Sequence, residues 1–320
     1  MDGLEDRSAR VQFESQSIEI RCFEQLSEAT PASRSEIVQV EKGEMHGRLR
    51  HVSVGPVSMG LGIFDRGIVS KGVFSDRDVT FGMLFETPCN THIASLRCET
   101  VSVWPPGVEH LNRYFGGAAF GGISVPADAL SRFFGEGCPV GQVEEWAAEA
   151  TLRFDAHDAD AIDRALTGIV SQAGGNLHVC AGVAEYWTDA LLDALTRGVP
   201  RPEQRGRCGS RRSLYDILEY LDIVDTYPVH VARLMAVSGL SRRSLFRLFD
   251  EEIGVSPVAF LRQRQLCRAR TLLKRPDSGG ETIADIAFRS GFCDFGRFSA
   301  YYRAQFGEYP SQTVKRHRSL

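Results

Sequence analysis

Two spacings of apolar residues divide the chain. Over residues 10–135 they fall in short runs with a period near two: Arg48–Val54, Val57–Phe64, Gly67–Phe74, Thr80–Phe85 and Thr100–Trp104, parted by Gly, Pro, Asn and Asp. That period sends alternate side chains to opposite faces, so the runs predict strands. The Gly60-Leu61-Gly62 and Gly116-Gly117 junctions suit tight corners or bulges, and the expected product is a small antiparallel barrel or sandwich. Near residue 140 the period lengthens to that of a helix. Ala159–Ala173 carries Ile162, Leu166, Ile169 and Val170 at helical spacing, and Val179–Arg197 carries Val183, Tyr186, Trp187, Ala190, Leu191, Ala194 and Leu195 on one stripe. Gly174-Gly175-Asn176 separates them. Such a pair is expected to pack on the barrel or on a second subunit, and Val179–Arg197 is the first candidate for a dimer face. Gly198–Arg212, with two Pro, three Gly and five Arg, reads as an exposed linker.

The remaining residues read as helices, and a motif occurs in them twice. Val231-Ala232-x-Leu234 followed by Ser238-Gly239 returns 52 positions on as Ile283-Ala284-x-Ile286 followed by Ser290-Gly291. After one extra residue, Leu245, Phe249, Gly254 and Pro257 return 53 positions on as Phe298, Tyr302, Gly307 and Pro310. Each copy is a short helix, a Gly turn and a second helix. This is the helix-turn-helix layout, whose second helix enters the DNA major groove. An amphipathic helix over Ser213–Asp225 comes first, with Leu214, Ile217, Leu218 and Leu221 inward. Pro228 is placed to open the next helix, Ser241 to cap the one running to Glu252, and Gly254 to end it. Ser256-Pro257 starts a helix to about Lys274, roughly 27 Å long at 1.5 Å per residue. Successive major grooves on one DNA face lie about 34 Å apart, so this helix can hold two reading heads near that separation. Beyond a Pro276–Gly280 turn, Thr282–Phe288 and Asp294–Phe306 form the second unit.

Charge sharpens the division. Residues 209–320 hold 18 Lys and Arg against 12 Asp and Glu, a net of +6, while residues 1–208 hold 19 against 29, a net of −10. Sixteen of those eighteen cations are Arg, which forks onto phosphate and guanine. A basic unit beside an acidic one fits a nucleic-acid footprint confined to one part of the chain. At 43% hydrophobic the 320 residues can build a sizeable core in one to three domains. The start, Met1-Asp2-Gly3-Leu4-Glu5-Asp6, has no apolar core region, so no signal peptide is expected. No run approaches the roughly 18 apolar residues of a membrane span, so no membrane partner is expected. The eight cysteines form no Cys-x-x-Cys pair and read as free thiols of a cytoplasmic protein.

Residues 213–320 resemble the DNA-binding domain of AraC/XylS-type transcription regulators. The resemblance is carried by Ala232, Gly239, Ser241, Leu245, Arg247, Phe249, Gly254, Ser256-Pro257, Ala269, Ile283-Ala284, Gly291-Phe292, Phe298-Ser299, Tyr302, Phe306-Gly307 and Pro310. Residues 1–197 are similar in outline to the cupin-like sensor barrels of that family, and Trp104-Pro105-Pro106-Gly107 resembles a turn often seen there. The resemblance implies an α+β chain. An N-terminal antiparallel β barrel, cupin-like, with a helical pair would form an effector-binding and dimerisation domain over 1–197. A linker over 198–212 would join it to an all-α domain of two helix-turn-helix units, 228–252 and 282–306, on a long linker helix. It further implies a ligand-responsive activator, a homodimer on operator or promoter DNA, with RNA polymerase as a partner.

Arg243 and Arg247 lie four apart on one helical face with Phe246 between them, and the family's base-reading positions map onto these three. Arg242 is the phosphate candidate beside them. In the second unit the equivalent positions are Phe295, Gly296, Ser299 and Ala300, with Arg297 and Arg303 supplying charge. Ala300 stands where the family usually has a basic residue, so this unit is expected to read shape and backbone more than bases. Asp294 is expected to cap its helix. Arg262, Arg264, Arg268, Lys315 and Arg316 are further phosphate candidates. In the N-terminal half Phe64, Phe81, Phe85, Trp104 and His110 are candidates to line a pocket for an unidentified small molecule, against the alternative of plain core packing. His92, Glu109 and His110 lack the His-x-His of a cupin metal site, and no catalytic fingerprint is present, so neither cofactor nor metal nor catalytic residue is expected. The rival readings are an enzyme with an appended DNA-binding domain, either a metal cupin or a repair transferase, and a weakly specific architectural DNA binder.

Overall fold

The computed structural model describes residues 13–30, 33–85, 100–134, 150–171, 177–201, 205–224, 228–275 and 281–318. The N-terminal half carries β1 (Phe13–Ile20), α1 (Glu24–Glu28), β2 (Arg34–Gln39), β3 (Gly47–Val54), β4 (Val57–Phe64), β5 (Ile68–Val73), β6 (Asp78–Phe85), β7 (Thr100–Trp104), β8 (Glu109–Tyr114), β9 (Ala119–Pro126), α2 (Ala127–Phe134), β10 (Ala150–Arg153), α3 (Ala156–Ser171), α4 (Leu177–Thr196) and β11 (Val199–Arg201). The five runs singled out by alternation all lie on strands. Among the described residues the ladders do not close into the expected barrel. They form an eight-stranded antiparallel sheet, β1-β3-β4-β9-β6-β7-β10-β11, and a separate three-stranded one, β2-β5-β8.

Strand parity decides what each face of the large sheet does. Val52, Val54, Val57, Met59, Val79, Phe81, Val101, Val103, Ile123 and Val125 face a core shared with α3 and α4. The residues between them are small or polar: Ser58, Gly60, Thr80, Gly82, Ser102, Gly122 and Ser124. With few bulky side chains on that face, a cavity of about 730 Å³ remains between it and Phe74, Asn112 and Tyr114 on the side of the small sheet. The apolar stripe of α4, expected to be a dimer face, is spent inside its own domain. Ala184, Leu191, Leu192, Ala194 and Leu195 are fully buried, Trp187 covers Gly168 of α3, and Tyr186 is left outside at 65% exposure.

The C-terminal half is all helix: α5 (Arg205–Ile223), α6 (Val231–Ser238), α7 (Arg242–Glu252), α8 (Pro257–Leu273), α9 (Ile283–Arg289), α10 (Phe295–Phe306) and α11 (Pro310–Arg318). Much of the expected linker is therefore structured, with β11 and the first turns of α5 falling inside 198–212. Arg fills four of the eight α5 positions inside that span and favours a helix, which offsets Gly206 and Gly209. α6 begins three residues after Pro228. One hydrophobic core runs from the small sheet (Val38, Ile68, Val69, Leu111) through α5 (Leu214, Ile217, Leu218, Leu221) into α7, α8 and α10. The two halves are thus packed as one body.

Candidate nucleic-acid interface

The duplicated motif builds two units of the same design. Leu245 and Phe249 of α7, and their counterparts Phe298 and Tyr302 of α10, are all fully buried. The turn glycines Gly239 and Gly291 hold φ of 67° and 92°, and the rear glycines Gly254 and Gly307 hold 81° and 77°, the left-handed region that a β-carbon disfavours. Caps fix where each second helix starts. The Ser241 hydroxyl accepts from the Ser244 N–H at 3.2 Å, and the Asp294 carboxylate accepts from the Arg297 N–H at 2.9 Å. Thr282 and Asp285 form a reciprocal capping box on α9.

Capping leaves the outer faces of α7 and α10 to solvent. Arg243 and Arg247 are exposed, Arg247 within 3.9 Å of Glu251, and Arg242 lies 5.4 Å from the half-buried Phe246 ring. On α10, Phe295 is 50% exposed, Gly296, Arg297 and Ala300 are exposed, and Ser299 is half-buried. Arg303 donates to the Tyr309 hydroxyl at 2.7 Å. Arg262 of α8 lies over the Tyr301 ring at 4.5 Å. Arg316 pairs with Glu308 at 3.0 Å, and Arg268 and Lys315 have partners within the chain.

Arg264, expected to touch phosphate, does something else. Its side chain is 5% exposed, bonded to Glu36 at 2.9 Å and Asp222 at 2.6 Å, and its guanidinium donates to the Leu221 carbonyl at 2.6 Å. It ties α8 to β2 and α5. Gln263 beside it donates to the Val40 carbonyl at 2.7 Å. At the other end of α8, Arg270 bonds Glu308 at 2.7 Å and meets Glu24 of α1 at 3.3 Å, with Lys274 on the same carboxylate at 3.2 Å. Burial alone would push the Glu308 carboxyl up, but the Thr313 hydroxyl and the Arg270 guanidinium outweigh it and hold the group below its ordinary range.

The N-terminal half also seats both second helices at their rear ends. Gln39 donates to the Gln305 carbonyl at 3.1 Å, Gln305 donates to the Gln39 carbonyl at 2.8 Å, and the Gly43 N–H donates to the Gln305 carbonyl at 3.1 Å. A β-carbon on Gly307 would press on the backbone of Glu44, and one on Gly254 would collide with the Arg113 guanidinium of β8. The same repeat position is therefore seated twice, by two parts of one domain. Sequence reasoning passed over these polar residues because nothing local marks Gln39, Gln263 or Gln305 as buried.

Of the pocket candidates whose side chains are described, only Trp104 lines the cavity. Phe81 has the opposite strand parity and faces the helices, and Phe64 is buried against Tyr114 and Phe120. Phe85 ends β6, but its side chain lies outside the described residues, as does His92. His110 is buried against Phe74, ring on ring at 3.7 Å, and bonded to Ser70 at 2.9 Å; burial pushes its pKa down to about 3. It stays neutral. Glu109, its neighbour on β8, points the other way into solvent, so the two do not converge on a metal. Among the described residues no cluster of three or more metal-binding side chains occurs.

A family model described as a helix-turn-helix domain matches residues 234–316. An XylDLEGF operon transcriptional activator of Pseudomonas putida, the third of that name, is 29% identical over 157 residues, covering 48% of this chain and 46% of that protein. The second of that name is 29% identical over 140 residues, covering 42% of this chain and 87% of that protein. For the most part, then, the chain spans about half or less of the curated relatives it matches. A solved AraC-type regulator from Chromobacterium violaceum is 27% identical over 34% of this chain and 96% of its own, with a TM-score of 0.32, too loose an overlay to bear on the fold. A helix-turn-helix domain marks a class of DNA-binding protein. Over these C-terminal residues the chain is similar to transcription regulators of the AraC/XylS type.

Proposed function

We propose that the protein is a cytoplasmic, ligand-responsive transcription activator that lays α7 and α10 into successive major grooves and takes a small molecule in its N-terminal cavity. The observation that carries this reading is the double seat. Both second helices turn their polar faces outward, and the rear glycine of each rests on the domain that holds the cavity. Strand β8 supplies Asn112 and Tyr114 to the cavity and Arg113 to the seat, so occupancy of one can bias the other. Such coupling requires the ligand to bind the two arrangements unequally. The names of the Pseudomonas putida relatives, operon activators, favour activation over repression.

In this reading Arg243 and Arg247 fork onto guanine edges, Phe246 packs on a thymine methyl, and Arg242 meets phosphate. Phe295, Gly296, Arg297, Ser299 and Ala300 read the second groove by shape, with Arg303 beside them. Arg262, Arg268, Lys315 and Arg316 contact backbone. Two copies would present four heads to two half-sites and recruit RNA polymerase. The regulatory character of the relatives favours this over an enzyme. The test is selection of binding sites from sheared source DNA with purified full-length protein. One bipartite motif, its parts about one helical turn apart, is the expected result. Uniform binding without a motif would remove the sequence-specific reading and favour an architectural binder.

A further inference from the structure

The floor of the cavity is built from glycines in register. Gly60 of β4 pairs with Gly122 of β9, which pairs with Gly82 of β6. All three turn the side without a side chain toward the cavity, and their strands are spaced about 4.8 Å apart. Two places on this floor are already covered by flat rings. A β-carbon on Gly82 would strike the Trp104 indole, and one on Gly62, two residues along β4 from Gly60, would strike the Phe120 ring. The two glycines between them are bare: a β-carbon on Gly122 would meet nothing within 4 Å, and one on Gly60 would meet only the tip of Leu49 at 3.9 Å. Along one edge of the bare strip runs a row of hydroxyls, Ser58 registered with Ser124 and Ser124 with Thr80, with Thr80 and Ser124 oxygens 3.3 Å apart.

We propose that this bare strip between Trp104 and Phe120 is a seat for one planar ring molecule carrying a hydroxyl or similar hydrogen-bonding group on one edge. The chemistry follows from the parts. A side-chain-free strip of sheet admits a flat face at van der Waals distance, the two rings offer aromatic edges or faces to stack on, and the hydroxyl row satisfies a polar edge. An alkyl chain would use the apolar walls but neither the flatness nor the hydroxyls. A sugar could use the amides and carboxylate of the wider lining, Gln16, Asn112 and Glu28, but its puckered ring gains little from the flat strip. This inference rests on the ligand-responsive reading above and narrows its ligand to a chemical class.

The test is calorimetric titration of the full chain with 2-naphthol, decanoate and D-xylose as probes. Saturable binding of 2-naphthol is expected, weakened about tenfold or more in Gly122→Val, whose added bulk fills the strip. Ser124→Ala should weaken it severalfold, consistent with one lost hydrogen bond. Open space at Gly122 lets either variant fold, and thermal melting with retained DNA binding checks that it has. No saturable 2-naphthol binding, equal or tighter binding of decanoate or D-xylose, or indifference to Gly122→Val each overturns the proposal. A chain that binds 2-naphthol but no preferred DNA sequence would instead sink the regulator reading and leave the seat standing.

Discussion

At the scale of single residues, position on the repeat separates side chains that build from side chains that remain available. Leu245, Phe249, Phe298 and Tyr302 are buried and cannot be probed without unfolding the units. Arg243 and Arg247 are exposed, so replacing either with Ala should leave the melting temperature within error. Each should cost about 1–3 kcal/mol in binding to the preferred site and much less on bulk DNA; quantitative band shifts on both DNAs check it, and equal loss on both would reassign the residue to phosphate. His110 makes a different prediction. Its folded ring binds a proton only near pH 3, against 6.5 for an unperturbed one. Between those values the unfolded chain holds the extra proton, so stability should fall by about 1.4 kcal/mol per pH unit as pH drops below 6.5 and stay level above it. Urea midpoints across pH 4–8 would show that slope in the natural protein, and none from this site in His110→Phe.

At the scale of elements, the repeated glycines are equivalent in backbone but not in surroundings. Gly239 has open space where a β-carbon would go, so Gly239→Ala should cost only the left-handed strain, about 1–2 kcal/mol. Gly254→Ala carries the same strain and pushes aside the Arg113 guanidinium, the flexible end of its side chain, so it should cost about as much as Gly239→Ala while loosening β8 from α7. Chemical denaturation compares the two, and the idea fails if Gly254→Ala costs several kcal/mol more. The C-terminal helices were legible in the sequence because each signal is local: a cap such as Ser241, a turn glycine such as Gly239, and apolar residues three and four apart. The strands were legible for the same reason. Their closure was not, since pairing depends on residues far apart in the chain. The cavity was half legible. Choosing candidates by size picked Phe81 and Phe64, whereas strand parity and the small residues between the apolar ones pointed to the face with room.

At the scale of the whole molecule, the least legible feature is the junction of the halves. Gln39 and Gln305 meet across 266 positions and Arg264 and Glu36 across 228, and each reads on its own as a solvated surface residue. The burial of Gln39, Gln305 and Arg264 follows only from the shared core that brings β2 onto α8. Because that core is continuous, the small sheet and the helical domain should melt in one calorimetric transition. Glu36→Ala removes part of the Arg264 pairing, with Asp222 still in place, and should cost about 1–3 kcal/mol. Combined with Gln305→Ala it should split the transition in two. A single unsplit peak in the double variant would mean that the apolar contacts alone hold the halves together.

Seating each second helix at its rear glycine makes the N-terminal domain a ruler. Adding one base pair between the two segments read by one chain moves the second by about a tenth of a turn around the DNA axis as well as along it. A flexible pair of heads could follow that change of phase; heads held at both ends of one rigid body cannot, except by bending or twisting the DNA at a cost in energy. Promoters served by this protein would then keep the spacing inside each half-site to the base pair while tolerating substitutions between its two parts, and the spacing itself would carry part of the recognition.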